Sequence, residues 1–214
     1  SLYKTWLRRS TDYVGNLIGH EGAGSLLSEL KKRAWANDIT AGVSSDGYNT
    51  NTCTYNFDIE VVLTDTGLAS HEQVIDLIFG YIALLRGAGP QEDFYNEEAA
   101  TRVMEFRHLE QEDSFSYAEQ LSQNMLWPGM TPEHVVYPHL WMEFHPEEIT
   151  RVTSQLVPRG MVVLLSSPPV DGTILGIPLE KEEKWFKVKY ATLALPEARL
   201  AALDAIGNAE APGC

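Results

Sequence analysis

The sequence predicts an α+β fold in which helices pack on one face of a largely antiparallel sheet. Residues 54–63 alternate apolar and polar side chains, the pattern of a strand with one buried face. Later segments repeat apolar residues at three- and four-residue steps, the pattern of amphipathic helices. Because strand pairs and runs of consecutive helices follow one another in this order, the sequence favours a fold in which helices and strands form separate layers.

The first helical region is divided by glycine. Four glycines fall within ten residues, 15–24, and each would cost an ordinary helix about 1 kcal/mol relative to alanine. The sequence therefore predicts a short helix, a break at residues 22–24 and a second helix that begins at Ser25. Amides exposed at such a break can hold a carboxylate or a peptide carbonyl. Residue types alone leave equally open that the glycines serve close helix–sheet packing.

The later elements follow from periodicity and from proline and glycine. Helices are predicted over residues 74–85, after Pro90, over 114–127, after Pro146 and over 196–206. An apolar run at 161–165 predicts a buried strand, and alternation at 186–190 predicts another. The predicted domain covers residues 1–206, and residues 207–214 are predicted to form a flexible tail.

Composition excludes several classes of protein. The 214 residues include 16 Lys and Arg against 30 Asp and Glu, and a net charge of −14 argues against nucleic-acid binding. The chain has no apolar stretch long enough to cross a membrane, so no membrane partner is expected. Cys53 and Cys214 form neither a CxxC pair nor a disulfide framework, which predicts a reducing, cytoplasmic location.

Common catalytic and metal motifs are missing from the sequence. It contains no HExxH, no HxxEH, no phosphate-binding loop and no dinucleotide fingerprint. His134, His139 and His145 lie close in sequence, but Pro138 and Pro146 interrupt any helix that could align their rings. A metal site is therefore not predicted at these histidines.

Several segments together closely resemble one protein family. They are Gly15–Lys31 with Trp35 and the strand 37–42, Thr64–Leu68, Tyr81–Glu92, Glu143–Ile149 and Trp185–Tyr190. The chain resembles, over residues 3–203, the second domain of the insulin-degrading (insulysin or pitrilysin) zinc peptidases, family M16. The resemblance implies a non-catalytic domain of the N-terminal half of such an enzyme. It also implies truncation at the N-terminus, because the domain's opening strand is missing.

The resemblance further implies that the zinc is held elsewhere in the parent enzyme. Where the catalytic domain of the family has HxxEH, this sequence reads Asn16-Leu-Ile-Gly-His20, and Gly19 occupies the position of the general base. Glu97 or Glu98 falls where the family has its third ligand. Zinc catalysis needs three protein ligands and a base. No catalytic residue, metal ligand set or cofactor is therefore expected in this chain.

A substrate-binding role remains. In the family, the second domain carries an exosite that holds the amino terminus of a peptide along a strand edge. The matching positions are Gly15, Asn16, Gly19, Glu21, Ile39 and Ala41. The expected partners are peptide substrates, bound by their amino termini, and the remaining domains of the same peptidase. Unpaired edges of a truncated sheet also predict self-association into a homo-oligomer.

A structural role is the alternative. Non-catalytic subunits of the mitochondrial processing peptidase and respiratory-complex core branch share the expected fold without binding substrate for cleavage. The segments Leu17–Gly22 and Leu85–Gln91 resemble the insulysin branch more closely. The sequence therefore favours the exosite domain.

Overall fold

The computed structural model describes residues 7–44, 55–127, 129–136, 140–170 and 172–208. Its helices are α1 (Ser10–Ile18), α2 (Leu26–Lys32), α3 (Asp65–Ala69), α4 (His71–Ala88), α5 (Glu92–Arg107), α6 (Ser114–Asn124), α7 (Pro146–Gln155) and α8 (Glu197–Gly207), with one 3₁₀ turn at Pro158–Gly160. Its strands are β1 (Ala36–Gly42), β2 (Asp58–Leu63), β3 (Thr173–Ile174), β4 (Ile177–Pro178), β5 (Lys181–Glu182) and β6 (Lys189–Tyr190). The strands pair in sequence order as small antiparallel sheets. The predicted combination of helices with antiparallel strands is confirmed.

The predicted break in the first helical region is confirmed. Helix α1 ends at Ile18, and α2 begins after Ser25, whose hydroxyl accepts a hydrogen bond from the Ser28 amide at 3.1 Å. Gly24 has a φ of 83°, which glycine adopts without strain. The break therefore separates α1 from α2, which packs against β1 of the β1–β2 hairpin.

Hydrogen bonds to Ala34 and Trp35 hold the open end of the β1–β2 hairpin. The Thr64 and Thr66 hydroxyls both donate to the Ala34 carbonyl, at 2.6 and 2.5 Å, and the Thr64 amide donates to the Trp35 carbonyl at 3.0 Å. A Cβ atom at Gly67 would lie 1.8 Å from that Trp35 oxygen. Only glycine fits this turn, which fixes where β2 passes into α3.

The core lies between the hairpin and the helices. Helix α1 contacts β1 and α7, α2 contacts β1 and α4, and α4 contacts α7 and α8. The most deeply buried side chains are Tyr13, Val14, Ile18, Leu27, Leu30, Ile149 and Leu203. Residues from both ends of the chain therefore share one apolar core.

Arg86 joins three helices through backbone carbonyls. Its guanidinium donates to Thr153 O at 3.0 and 3.1 Å, to Leu156 O at 2.8 Å and to Gly207 O at 3.1 Å. These oxygens belong to the C-terminal ends of α7 and α8, where carbonyls lack helical partners and carry partial negative charge. Burial lowers the pKa of Arg86. The cation therefore fastens α4 to α7 and α8.

The prediction of a buried strand at 161–165 is wrong. The structure places no strand there, and Val162 and Leu164 are 93% and 91% exposed. The apolar run lacks a neighbouring strand in the described residues, and composition without pairing does not make a strand. At 186–190 only Lys189–Tyr190 forms a strand, while Phe186 is 86% exposed.

The last helix ends close to its predicted boundary. Helix α8 runs to Gly207, one residue past the predicted boundary, and residues 209–214 of the predicted tail lie outside the described residues. In the described part of the chain, no helix combines the length and the apolar character that crossing a membrane requires.

Replacing Arg86 with methionine is expected to destabilise the fold by about 2–4 kcal/mol, because three partly buried helix-end carbonyls lose a charged donor. Arg33→Met is the control, since Arg33 is exposed and, among the described residues, pairs with its helix neighbour Glu29 and the face of Trp35. Urea unfolding measures both free energies. Equal losses in the two variants would contradict the role of Arg86.

Candidate functional site

Helix α1 lies against β1 at a distance that requires glycine. A Cβ atom at Gly15 would stand 2.7 Å from Ala41 O and 3.1 Å from Gly42 Cα, and one at Gly19 would stand 3.4 Å from Ala41 N. Gly15 is buried and Gly19 is half-buried. The interpretation of the glycines as residues for close helix–strand packing is therefore confirmed at Gly15, whereas a Cβ at Gly19 would make an ordinary contact with the strand.

This packing runs along one edge of β1. Both backbone polar atoms of Ala41 face the glycines of α1, and Ala41 stands opposite Ile59 in the hairpin. The backbone N–H and C=O groups of successive residues point to opposite edges of a strand. Ile39, which stands opposite Val61, therefore turns its N–H and C=O groups to the same edge as Ala41. The Ile39 amide donates to the Asp38 side chain at 2.9 Å, while its side chain is buried.

Helix α1 ends beside Ala41 and runs toward the Ile39 end of this edge. Gly15 lies near Gly42 and Ala41 O, and Gly19 lies near Ala41 N, so α1 runs along β1 in the direction of Ile39. Gly19 caps the helix, with its amide bonded to Gly15 O at 2.8 Å. The α1 terminus, with its partial negative charge, therefore lies at Ala41, on the side from which the strand edge continues to Ile39.

The two polar residues of the predicted exosite differ in their surroundings. Asn16, half-buried in the last turn of α1, donates through Nδ2 to Glu98 Oε2 at 2.8 Å. Glu21 is exposed beyond the helix end and makes no hydrogen bond or ion pair with the described residues. The structure thus brings Gly15, Gly19 and Ala41 into contact, whereas Asn16 contacts α5. The exosite role of all these positions stays a prediction.

The residues at the HxxEH-like slot do not fit zinc. Asn16 and Gly19 offer neither imidazole nor carboxylate, and the Asn16 amide is already bonded to Glu98. His20 lies past the end of α1, where its Nδ1 accepts a hydrogen bond from the Gly22 amide at 3.0 Å. Over the ranges that the structure describes, no three His, Cys, Asp or Glu residues form a group able to hold a metal ion.

The later histidines have other contacts. His134 Nδ1 lies 2.7 Å from the Thr131 hydroxyl, and His145 caps α7 by accepting from the Glu148 amide at 3.3 Å. His139 lies outside the described residues.

Glu148 pairs with Arg8 at 2.8 Å, and this hydrogen bond is the main cause that raises the pKa of Arg8.

Two buried tyrosines, Tyr13 and Tyr95, and the half-buried Tyr81 hold α1 in place. The Tyr81 hydroxyl donates to Leu17 O at 3.1 Å, near the C-terminal end of α1. The Tyr13 hydroxyl accepts from the Gln91 amide at 2.8 Å, and the ring of Tyr95 lies 6.5 Å from that of Tyr13. Burial raises the pKa of Tyr95 to about 12 and also raises the pKa values of Tyr13 and Tyr81. These hydroxyls therefore act as hydrogen-bonding groups and stay neutral.

Two family models match the chain in succession. The model described as "Peptidase M16 inactive domain" matches residues 2–100, and the model described as "Middle or third domain of peptidase_M16" matches residues 106–212. The chain belongs to the peptidase M16 family. The two matches meet within α5, while the core contains residues on both sides of that point, such as Val14 and Ile149. The prediction of one domain over residues 1–206 stays a prediction.

Curated relatives are much longer than this chain. It is 33% identical to the nardilysin-like protein of Arabidopsis thaliana over 91% of the chain and 18% of the relative. It is 32% identical to human insulin-degrading enzyme over 86% of the chain and 17% of the relative. It is 29% identical to the A-factor-processing enzyme of Saccharomyces cerevisiae over 97% of the chain and 19% of the relative. The chain therefore spans less than a fifth of the length of each.

The fold matches a solved structure of the same family. The crystal structure of pitrilysin superposes with a TM-score of 0.80, at 20% sequence identity, over 96% of this chain and 21% of that one. The predicted M16-type fold class is therefore confirmed.

Gly15→Ala is expected to destabilise the M16 chain by about 1–3 kcal/mol, because the new methyl group would press on a backbone oxygen that cannot turn away. Gly80→Ala is the control. Gly80 lies inside α4, and an added Cβ would meet only Ile206 at an ordinary 3.8 Å, so this change should be neutral or stabilise by up to about 1 kcal/mol. Thermal unfolding measures both. An unchanged stability of the Gly15→Ala variant would contradict the close packing of α1 on β1.

The purified chain is expected to retain no stoichiometric zinc and to hydrolyse no peptide, because the slot offers a single histidine, whose Nδ1 already accepts a hydrogen bond from the Gly22 amide. Metal analysis after dialysis and a fluorogenic peptide assay measure these two properties. One tightly held zinc per chain would overturn the conclusion that the slot does not fit the metal.

Proposed function

We propose that this chain is a substrate-binding and chamber-forming domain of a zinc metalloendopeptidase that degrades short peptides, with the zinc held by another part of the full-length protein. Membership of the M16 family supports this proposal, and so does the slot that does not fit zinc. The relatives named as insulin-degrading and A-factor-processing enzymes support a peptide as the substrate class. The proposed partners are peptides and the remaining domains of the same peptidase, in the cytoplasm.

The edge of β1 is the proposed binding surface. A peptide can add a strand there through backbone hydrogen bonds, which tolerate many sequences. Because α1 covers the edge at Ala41, we place the peptide at the Ile39 end, just past the helix. The observation that carries the proposal is the Ile39 amide, which faces this edge and whose partner among the described residues is the Asp38 side-chain oxygen.

Charge at the same place favours the amino terminus of the peptide. The C-terminal end of α1 carries partial negative charge, which typically stabilises a nearby cation by about 0.3–1 kcal/mol. Glu21 adds an exposed carboxylate beyond that end. The net charge of −14 attracts cationic groups from a longer range. An α-ammonium group therefore suits this end of the strand edge.

Tethering one end of a peptide also serves cleavage at a distant centre. Holding the amino terminus raises the effective concentration of the rest of the peptide near the zinc. The domain would thus contribute to substrate capture without contributing a catalytic residue.

A short peptide with a free amino terminus is expected to bind about tenfold more tightly than its acetylated form, because acetylation removes the cation. Glu21→Gln should reduce this ratio. Glu180→Gln, which removes an exposed carboxylate on the loop between β4 and β5, should leave it unchanged. Calorimetric titration at neutral pH measures the affinities. Equal affinity of the two peptides, or an unchanged ratio of their affinities in Glu21→Gln, would contradict the proposed exosite.

A further inference from the structure

We propose that residues 161–165 form a β-strand in the full-length M16 protein, where an apolar strand from outside this chain pairs with their backbone and covers their exposed face. The inference rests on the proposed function in one respect, since it takes this chain as one domain of a longer polypeptide. It begins with the apolar run Met161-Val-Val-Leu-Leu165, which pairs with no strand in the described part of the chain.

The side chains of this run alternate between the core and the solvent. Met161 is extended, with φ −82° and ψ 139°, and packs against the core, while Leu165 is half-buried. Val162 and Leu164 are 93% and 91% exposed, whereas Val163 between them is 42% exposed. Successive side chains of a strand point to opposite faces. The run therefore has the exposure pattern of a strand with one face on the core and the other face uncovered.

The backbone of the run is uncovered as well. Among the residues that the structure describes, no hydrogen bond reaches the N–H or C=O groups of residues 162–165. Backbone polar groups need partners wherever water is excluded, and a row of unpaired groups is a template for another strand. A partner that buried Val162 and Leu164 would therefore also have to supply backbone hydrogen bonds.

The run is anchored and carries no charge. It follows the 3₁₀ turn at Pro158–Gly160, which packs on α8, where Arg159 pairs with Glu197 and lies 3.7 Å from Asp204. From residue 160 to residue 170 the sequence has no charged side chain. Native proteins commonly protect exposed strand edges with charged residues. An apolar edge without them indicates a surface that is covered in the native protein.

The sequence of the run specifies the kind of partner. A short, continuous apolar run is typical of a strand that is buried on both faces. The core covers one face here, so the partner must bring an apolar surface and a free strand edge to the other side. A peptide segment with exposed apolar residues and its own unpaired backbone meets both requirements.

The rest of the full-length polypeptide is the source of this partner. The run lies within residues 106–212, which match the family model of the middle or third domain, and the chain spans less than a fifth of each curated relative. A second copy of the chain is disfavoured, because it would bring another net charge of −14 close to the first.

Amide hydrogen exchange, followed by mass spectrometry, tests the pairing without any substitution. In this chain alone, the amides of residues 162–165 should exchange at nearly the rate of an unfolded peptide. In the full-length protein their exchange should be slower by about 100-fold or more, because paired amides exchange only when the structure opens. Residues 110–112, which lie on the exposed loop between α5 and α6, are the control and should exchange rapidly in both proteins.

Leu164→Lys tests the uncovered face. In the isolated chain this side chain is already in solvent, so the change should leave exchange at residues 162–165 unaltered. In the full-length protein it places a charge in the apolar contact, and exchange there should become at least about tenfold faster. Leu126→Lys is the matched control, since Leu126 is 77% exposed and lies outside the run, and it should change neither rate.

The outcomes separate this inference from the proposed function. Equally fast exchange of residues 162–165 in both wild-type proteins, or equal slowing of residues 110–112, would overturn the inference. An unchanged rate in full-length Leu164→Lys would also overturn it, and if that variant does not fold, the wild-type comparison decides. Slow exchange in the isolated chain that depends on its concentration would assign the run to a second copy and overturn the proposed partner. The affinities of free and acetylated peptides test the exosite independently of all these results.

Discussion

The close approach of α1 to β1 fixes where each part of the candidate exosite lies. It depends on Gly15, since a single methyl group there would collide with the Ala41 carbonyl. The approach covers the strand edge at Ala41, and the helix ends there, so the edge continues past it to Ile39. The proposed peptide site rests on this packing distance and this helix end.

A hydrogen bond joins α1 and α5 at the slot where the resemblance places zinc ligands of the family. Asn16 stands at one such position and Glu97 or Glu98 at another, and Asn16 bonds directly to Glu98. Arg102 supplies the positive charge beside the carboxylate. The slot thus connects helix with helix. Arg86 and Tyr81 secure the surrounding helices by hydrogen bonds to backbone groups.

Local sequence patterns predicted most of the helices and strands, but they could not predict contacts between residues that are distant in sequence. Ser25 marks a helix start by its own side chain, and Pro146 does so by its fixed backbone, so both starts were predictable. The bonds of Arg86 to Gly207 and of Asn16 to Glu98 join residues 121 and 82 positions apart, and no local pattern encodes them. The strand predicted at 161–165 failed because its apolar composition has no partner strand in the described part of the chain. Resemblance, more than periodicity, indicated the exosite residues.

Amide hydrogen exchange along the β1–β2 hairpin tests the central claim most directly. The account predicts that a peptide with a free amino terminus slows exchange at Ile39, whose amide faces the open edge, and leaves the β2 amides opposite it unchanged. Ala41, already covered by α1, should respond less. An unchanged Ile39 at a saturating concentration of peptide, or protection confined to another surface, would contradict binding at this strand edge.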